Sequence, residues 1–293
     1  MAVDEGARVD ESVAGRPAGP LRAYVAGYSG YRQTGLEPAR HTGLPSPYLT
    51  LIFTLDEPIT IVAHPDPAQP GGDYVTLAGG LHTAPAIVTH EGSQSGIQVS
   101  LSPLGSMALF GCPAGDLAGI DVDAAQVSGL LAAEIQQRIQ AGPTWDARFA
   151  VLDEALARSM AASRDGGRAP VSPEVGFAWQ RLLQSRGTVT VSALAAETGW
   201  SDRHLRNRFA REVGLTPKAA GRVVRFDRAR RLLRQRDETS RPLDLAALAV
   251  HCGYYDQAHL DAEFRSLAGA APTAWLTAEF RNLQAGDRAR GEG

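Results

Sequence analysis

Cysteine and lysine are nearly absent from this chain. Its 293 residues include two cysteines, Cys112 and Cys252, and one lysine, Lys218. Two cysteines so far apart exclude a disulfide framework and a cysteine-rich zinc site, and they are typical of a protein in the reducing cytoplasm. No apolar run reaches the roughly 18 residues of a transmembrane helix, and the acidic N-terminus lacks a signal-peptide pattern. We therefore expect a cytoplasmic protein that does not contact the membrane.

The sequence also lacks the common motifs of nucleotide-dependent enzymes. It contains no phosphate-binding P-loop and no G-x-G-x-x-G fingerprint. The segment GYSGY (27–31) differs from a nucleophile elbow because its fifth residue is Tyr31 rather than glycine. Cys112 has no base or cation beside it in the sequence, which favours a buried thiol over a reactive one. We therefore expect no catalytic residue and no cofactor.

Metal-ligand residues are present, but their spacing is poor. Five residues of the N-terminal half could supply ligands by type: His41, His64, His82, His90 and Glu91. No two of these histidines are separated by a single residue, the spacing that metal-binding barrels usually show. Pro85 interrupts the strand that would align His82 with His90. The sequence therefore predicts no metal site.

Positive charge is concentrated in one stretch. The net charge of the chain is −3, with −9 in residues 1–160 and +6 in residues 161–293. Residues 181–236 contain 13 arginines, Lys218 and four acids, a balance of +10. A clustered basic stretch is typical of a protein that binds a polyanion. The alternative is a solvated helix face, for which few pairing acids are present.

The hydrophobic pattern divides the chain in two. Short β-type runs, among them YLTLIFTL (48–55), ITIVA (59–63) and GIQVSLSP (96–103), predict an antiparallel sheet or small barrel. Helical periodicity begins near residue 123 and predicts two helices, near 123–140 and 144–162. The fold class is α+β: a β-rich, barrel-like domain with trailing helices, then an all-α domain. The predicted boundaries are 1–20 disordered, 21–162 the β-rich domain, 163–173 a linker, 174–282 the helical domain and 283–293 a disordered tail.

The helical part contains a weak internal repeat. TVSALAAETGWSDRHLRNRF (190–209) aligns with DLAALAVHCGYYDQAHLDAEF (244–264), with Gly199 matching Gly253. In each copy a glycine ends one helix, a short turn follows, and Ser201 or Asp256 can cap the next helix. This is the pattern of a helix-turn-helix, and a long helix from about 217 to 236 would join the two units.

These segments resemble the AraC/XylS family of transcriptional regulators over roughly residues 175–280. The resemblance depends on LAAETGWSDRHLRNRFAREVGLTPKAAGRVVRFDRARRLL and LAVHCGYYDQAHLDAEFRSLAGAAPTAWL, in that order. It implies a domain of two helix-turn-helix units whose recognition helices enter successive major grooves of double-stranded DNA. The N-terminal half is more loosely similar to the family's sensory barrel, which implies a small-molecule effector, a homodimer and contact with RNA polymerase.

Carried over by position, the resemblance assigns base reading to Arg203, Arg206 and Asn207 in the first unit and to Gln257, Ala258 and Asp261 in the second. The phosphate-contact candidates are Ser201, Arg208, Arg211, Lys218 and Arg265. Arginine suits guanine and asparagine suits adenine in the major groove. The second unit departs from the family because Ala262 replaces the usual arginine and Asp261 and Glu263 add negative charge.

The function predicted is a sequence-specific DNA-binding transcription factor that responds to a small molecule. One alternative is an N-terminal metal-dependent or cysteine-based enzyme domain joined to a DNA-targeting domain. Another is a ligand-independent regulator whose N-terminal half only dimerises. The early aromatic residues fit both a core and a ligand pocket: Tyr24, Tyr28, Tyr31, Tyr48, Phe53 and Tyr74.

Overall fold

The computed structural model describes residues 8–127, 132–166, 170–238 and 244–284. The strands are β1 (Val9–Gly15), β2 (Val25–Thr34), β3 (Ala39–Gly43), β4 (Leu49–Thr54), β5 (Ile59–Ala63), β6 (Gly72–Tyr74), β7 (Thr76–Gly79), β8 (Ala86–His90), β9 (Gln94–Leu101) and β10 (Asp121–Val122). The helices are α1 (Pro103–Leu109), α2 (Ala132–Ala141), α3 (Trp145–Asp165), α4 (Pro173–Gln184), α5 (Val191–Thr198), α6 (Asp202–Val213), α7 (Pro217–Glu238), α8 (Leu245–His251), α9 (Gln257–Ala268) and α10 (Pro272–Gln284). No described helix is long and apolar enough to span a bilayer.

The described strands form two sheets. One has six strands in the order β1-β2-β9-β4-β7-β10, and the other has four in the order β3-β8-β5-β6. Neighbouring strands are antiparallel, as in the pairing of Leu51 with Val99 and of Ile61 with Val88. The expected β-rich domain is confirmed in class, but its strands make two separate sheets rather than one closed barrel.

The N-terminal expectation of disorder is wrong for residues 9–15. These residues form β1, which pairs with β2 from Val9 opposite Thr34 to Gly15 opposite Tyr28. Strand β1 is an edge strand whose residues are mostly exposed. Its polar composition therefore reflects its place at the edge rather than a lack of structure. Residues 1–7 and 285–293, where disorder was also predicted, lie outside the described part of the chain.

Helices α2 and α3 pack their apolar stripes within their own chain. Ile135 and Ile139 of α2 and Phe149 and Leu152 of α3 are buried. They belong to one hydrophobic cluster that continues from the six-stranded sheet through α4 and into α6. The second helical unit has its own cluster, which includes Phe226 of α7. The first unit is therefore joined to the N-terminal domain by a shared core.

Candidate nucleic-acid interface

The two repeated units have matching local geometry. Gly199 follows the last residue of α5 with a φ of 72°, and Gly253 follows α8 with a φ of 81°. Only glycine adopts such angles without strain, so the chain turns sharply at both points. The side chains of Ser201 and Asp256 then accept hydrogen bonds from the backbone N–H groups of His204 and His259. Helices α6 and α9 are therefore the second helices of two capped helix-turn-helix units.

Helix α6 presents its predicted base readers to solvent. Leu205 and Phe209 have no exposed surface, whereas Arg203, Arg206 and Asn207 are exposed on the other side of the helix. The Arg206 guanidinium lies 4.0 Å from the Asp202 carboxylate, one turn earlier. Such an exposed pair is weak in water, so it leaves Arg206 available to another acceptor.

Arg208 occupies a different position from the other phosphate candidates. It is half-buried, donates a hydrogen bond of 2.5 Å to the Ser172 hydroxyl, and lies 2.7 Å from the Glu212 carboxylate. Glu212 also accepts from the backbone N–H and the hydroxyl of Ser172, at 2.7 and 2.6 Å. These contacts attach the start of α4 to α6. They favour a structural role for Arg208, whereas Arg211, Lys218 and Arg265 are exposed.

The second unit is less basic than the first. Gln257 and Ala258 are exposed on the first turn of α9, and Ala262 is exposed one turn later. Asp261 is half-buried, and its Oδ1 is a buried atom without a hydrogen-bond partner among the described residues. Glu263 accepts two hydrogen bonds from Arg222 of α7, at 2.9 and 3.0 Å. That negative charge is therefore neutralised inside the protein rather than presented to a phosphate.

Most arginines of α7 have internal acceptors. Arg225 donates to the carbonyl of Gly187, and Arg228 donates to the carbonyl of His251 at 2.8 Å. Arg230 and Arg231 both bond the buried carboxylate of Asp227. Arg222, Arg225 and Arg228 therefore attach α7 to the neighbouring units, whereas Arg230 and Arg231 pair within α7 itself. Composition does not reveal the bonds of Arg225 and Arg228, because their acceptors are backbone carbonyls rather than acidic side chains.

Each unit also contains an aromatic ring packed edge-on against a histidine. Trp200 and His204 have ring centroids 4.5 Å apart, and Tyr254 and His259 have centroids 5.3 Å apart. The His259 Nδ1 accepts from the backbone N–H of Tyr255 at 3.3 Å, so its Nε2 carries the proton of the neutral ring. The repeat therefore extends to a histidine at the N-terminal end of each recognition helix.

The histidines of the N-terminal domain do not converge on one point. The Nδ1 of His64 forms a hydrogen bond of 2.8 Å with the Asp121 carboxylate. The Nδ1 of His82 forms one with the backbone carbonyl of Ala84. His41 and His90 stack with centroids 4.7 Å apart. Within the described residues no group of three or more histidine, cysteine or carboxylate side chains is placed to hold a metal ion. Cys112 is half-buried.

A cavity of about 640 Å³ opens between the two sheets. We call it the intersheet cavity. Polar residues on one face of β9, Gln94, Gln98 and Ser100, line it, while Ile97 and Val99 on the other face are buried. The alternation of polar and apolar residues along GIQVSLSP predicts a strand, and its polar face is the one that lines the cavity. Of the early aromatic residues, Tyr31 and Tyr48 line the cavity, whereas Tyr28 and Phe53 are core.

Helix α7 forms part of the wall of the intersheet cavity. The helix contributes three residues to the lining of the cavity: Asp227, Arg230 and Arg231. Leu44, at the end of β3, packs against the hydrophobic cluster of the second unit and lines the same cavity. A molecule in this cavity would therefore touch both the sheets and the helix that joins the two recognition units.

Comparison with known proteins agrees with this architecture. Residues 194–278 match a family model described as a helix-turn-helix domain. The chain is 36% identical over 72 residues to the uncharacterized HTH-type transcriptional regulator YbfI of Bacillus subtilis (strain 168). That match spans 25% of this chain and 24% of the relative, so about a quarter of the relative's length is covered.

Two structures of ToxT from Vibrio cholerae share the fold of nearly the whole chain. An apo form has a TM-score of 0.51 at 7% identity, covering 92% of this chain and 97% of ToxT. A ligand-bound form has a TM-score of 0.50 at 9% identity, covering 91% and 98%. The C-terminal part of the chain is thus a double helix-turn-helix module. Its motifs resemble those of AraC-type domains, and it follows a β-rich domain with the fold seen in ToxT.

Proposed function

We propose that this chain is a sequence-specific DNA-binding regulator of transcription. The observation that carries the proposal is the exposed set Arg203, Arg206 and Asn207 on a capped recognition helix. Arginine can donate two hydrogen bonds to guanine, and asparagine can pair with adenine, when the helix lies in the major groove. The second unit adds Gln257 and Ala258 and contributes less positive charge.

The test is selection of duplexes from a random library by the full chain, followed by affinity measurements on the enriched sequence. We expect one sequence to be enriched, with affinity falling linearly on a log–log plot as salt is added, because each neutralised phosphate releases counterions. A lack of enrichment, or binding that does not change with salt, would contradict the proposal.

The N-terminal domain would sense a small molecule in the intersheet cavity. The volume of about 640 Å³ lies within the usual range for ligand sites. ToxT, which shares the fold, has been solved bound to (E)-4-(8-methylnaphthalen-1-yl)but-3-enoic acid. Because α7 lines the cavity, a bound effector would change the contacts of the helix that sets the spacing of the two units. A compound that raises the melting temperature should therefore also change the affinity for the selected duplex.

Three further expectations follow from the same assignment. The protein would act in the cytoplasm beside the nucleoid, contact RNA polymerase at promoters, and have no enzymatic activity. A homodimer is also proposed, although the stripes of α2 and α3 pack on their own β-domain, so another surface would form the contact. Sedimentation of the full chain at tens of micromolar, the range of weak interfaces, distinguishes monomer from dimer.

A further inference from the structure

A second cavity, separate from the DNA-binding surface, lies where β4 turns into β5 and β8 turns into β9. Its volume is about 420 Å³, and we call it the end cavity. It shares Tyr31, Ile59 and Gln94 with the intersheet cavity, so the two are neighbours. This volume is large enough for a small metabolite.

The end cavity is negatively charged. Glu57, Asp73 and Glu91 line it and are exposed, which places them on its solvent side. No arginine or lysine is among its described lining residues. None of these three carboxylates has an ion-pair partner within the described part of the chain. An anionic ligand would be repelled here, whereas a cation would gain charge-assisted hydrogen bonds.

Hydroxyl groups add further acceptors. Thr54 donates its proton to the carbonyl of Val75 at 3.1 Å, and Thr60 donates to Asp73 at 2.6 Å. Ser95 donates to Asp56. A hydroxyl group whose hydrogen already forms one hydrogen bond can only act as an acceptor in a further one. The cavity therefore suits a ligand that is rich in donors.

His90 supplies a donor at the buried side of the cavity. The side chain is only 8% exposed, and its Nδ1 accepts the backbone N–H of Gly92 at 3.1 Å. Burial lowers the pKa of His90, an effect that the nearby Glu91 partly offsets, so the ring is neutral near pH 7. The proton then resides on Nε2, which is buried and has no partner among the described residues. An unmet buried donor costs free energy until an acceptor reaches it.

We propose that the end cavity binds a small hydroxylated amine of the amino-sugar class. Its ammonium group would be held by Glu57, Asp73 and Glu91, and one of its oxygens would accept from the His90 Nε2–H. Its hydroxyl groups would donate to Thr54 and Ser95. This site is distinct from the effector site proposed in the intersheet cavity, and its test does not involve DNA.

Three sugars that differ mainly in charge provide the test. Glucosamine, glucose and glucuronate are titrated separately into the full chain, and binding is followed by calorimetry and by saturation-transfer NMR. We expect glucosamine to bind at least about tenfold more tightly than glucose, because charge-assisted hydrogen bonds are roughly twice as strong as neutral ones. Glucuronate should not bind. Failure of glucosamine to bind, or binding of either other sugar at equal affinity, would overturn the proposal.

Variants locate the binding in the end cavity. The double substitution Glu57→Gln and Glu91→Gln removes two exposed charges, so the fold is retained, and it should weaken glucosamine binding by about tenfold or more. Glu37→Gln, an exposed carboxylate that lines neither cavity, is the matched control and should leave binding unchanged. Equal losses in both variants would show non-specific attraction and refute the site. His90→Gln should weaken glucosamine and glucose binding alike, since its hydrogen bond does not depend on ligand charge.

Discussion

Gly115, in the N-terminal domain, lies against the backbone of Arg211 in the first recognition helix. A β-carbon on Gly115 would be 2.1 Å from the Arg211 carbonyl oxygen, so no other residue fits without movement of the backbone. The short helical turn that contains Gly115 (Ala114–Leu117) and helix α1 both contact α6. The N-terminal half of the molecule therefore touches α6 directly, at the end of the helix opposite its capped N-terminus.

The first prediction tests this contact with Gly115→Ala. The added methyl group must displace backbone, because the neighbouring atom belongs to no flexible side chain. We expect the free energy of unfolding to fall by about 1–3 kcal/mol, the usual cost of overpacking. Thermal melting and affinity for the selected duplex measure the effect on stability and on α6.

Gly176→Ala in α4 is the control for this change. A β-carbon there meets nothing within 4 Å, and alanine is the better helix former. The control should keep or slightly raise the melting temperature. If both variants behave alike, the contact between Gly115 and Arg211 does not hold the two domains.

The second prediction concerns the attachment of α4 to α6. Glu212 is 8% exposed and accepts hydrogen bonds from Ser172 and Arg208. Glu212→Gln removes the charge and one acceptor, so we expect a loss of about 1–3 kcal/mol in unfolding free energy by chemical denaturation. Glu197→Gln breaks the exposed pair with Arg181 and should lower the unfolding free energy much less than Glu212→Gln does, because water screens that pair. A larger loss for Glu197→Gln would contradict this ranking.

Local sequence signals predicted the recognition units, whereas distant contacts escaped them. Gly199, Ser201 and the buried pair Leu205 and Phe209 follow from neighbours a few residues away, and the structure has each of them in its expected place. Long-range pairs such as Arg222 with Glu263, 41 residues apart, depend on how helices pack. Strand β1 was missed for the same reason. It pairs with β2, and the paired residues lie as far apart in sequence as Val9 and Thr34.

The third prediction is an asymmetry between the two recognition helices. Arg203→Ala removes an exposed donor from α6 and should cost about 1–3 kcal/mol of binding while relaxing preference at one base pair. Asp261→Ala removes a negative charge that nearby phosphates would repel, and the Oδ1 of Asp261 has no hydrogen-bond partner among the described residues, so DNA affinity should stay the same or rise. Affinities for every single-base variant of the operator measure both effects. A greater loss for Asp261→Ala than for Arg203→Ala would make α9 the principal reader.

Arg40→Ala is the control for the loss of one positive charge. Arg40 is exposed on β3 of the N-terminal domain, outside both helix-turn-helix units. Its removal should change DNA affinity little and should leave base preference as it is. A loss equal to that of Arg203→Ala would mean that overall charge, rather than the position of Arg203, determines binding.

The last prediction is a loss of stability on mild acidification. Burial lowers the pKa of His41, the charge of the stacked His90 lowers it further, and burial also lowers the pKa of His90. Above the ordinary histidine pKa of 6.5 these rings are neutral in both the folded and the unfolded chain. As the pH falls below that value the unfolded chain takes up protons first, so unfolding becomes more favourable. Each histidine contributes at most about 1.4 kcal/mol per pH unit. The free energy of unfolding, measured by chemical denaturation between pH 7.5 and 5, should therefore fall as the pH falls. The fall should be shallower in the double variant His41→Asn and His90→Asn. An equally steep decline in that variant would assign the acid sensitivity to other groups.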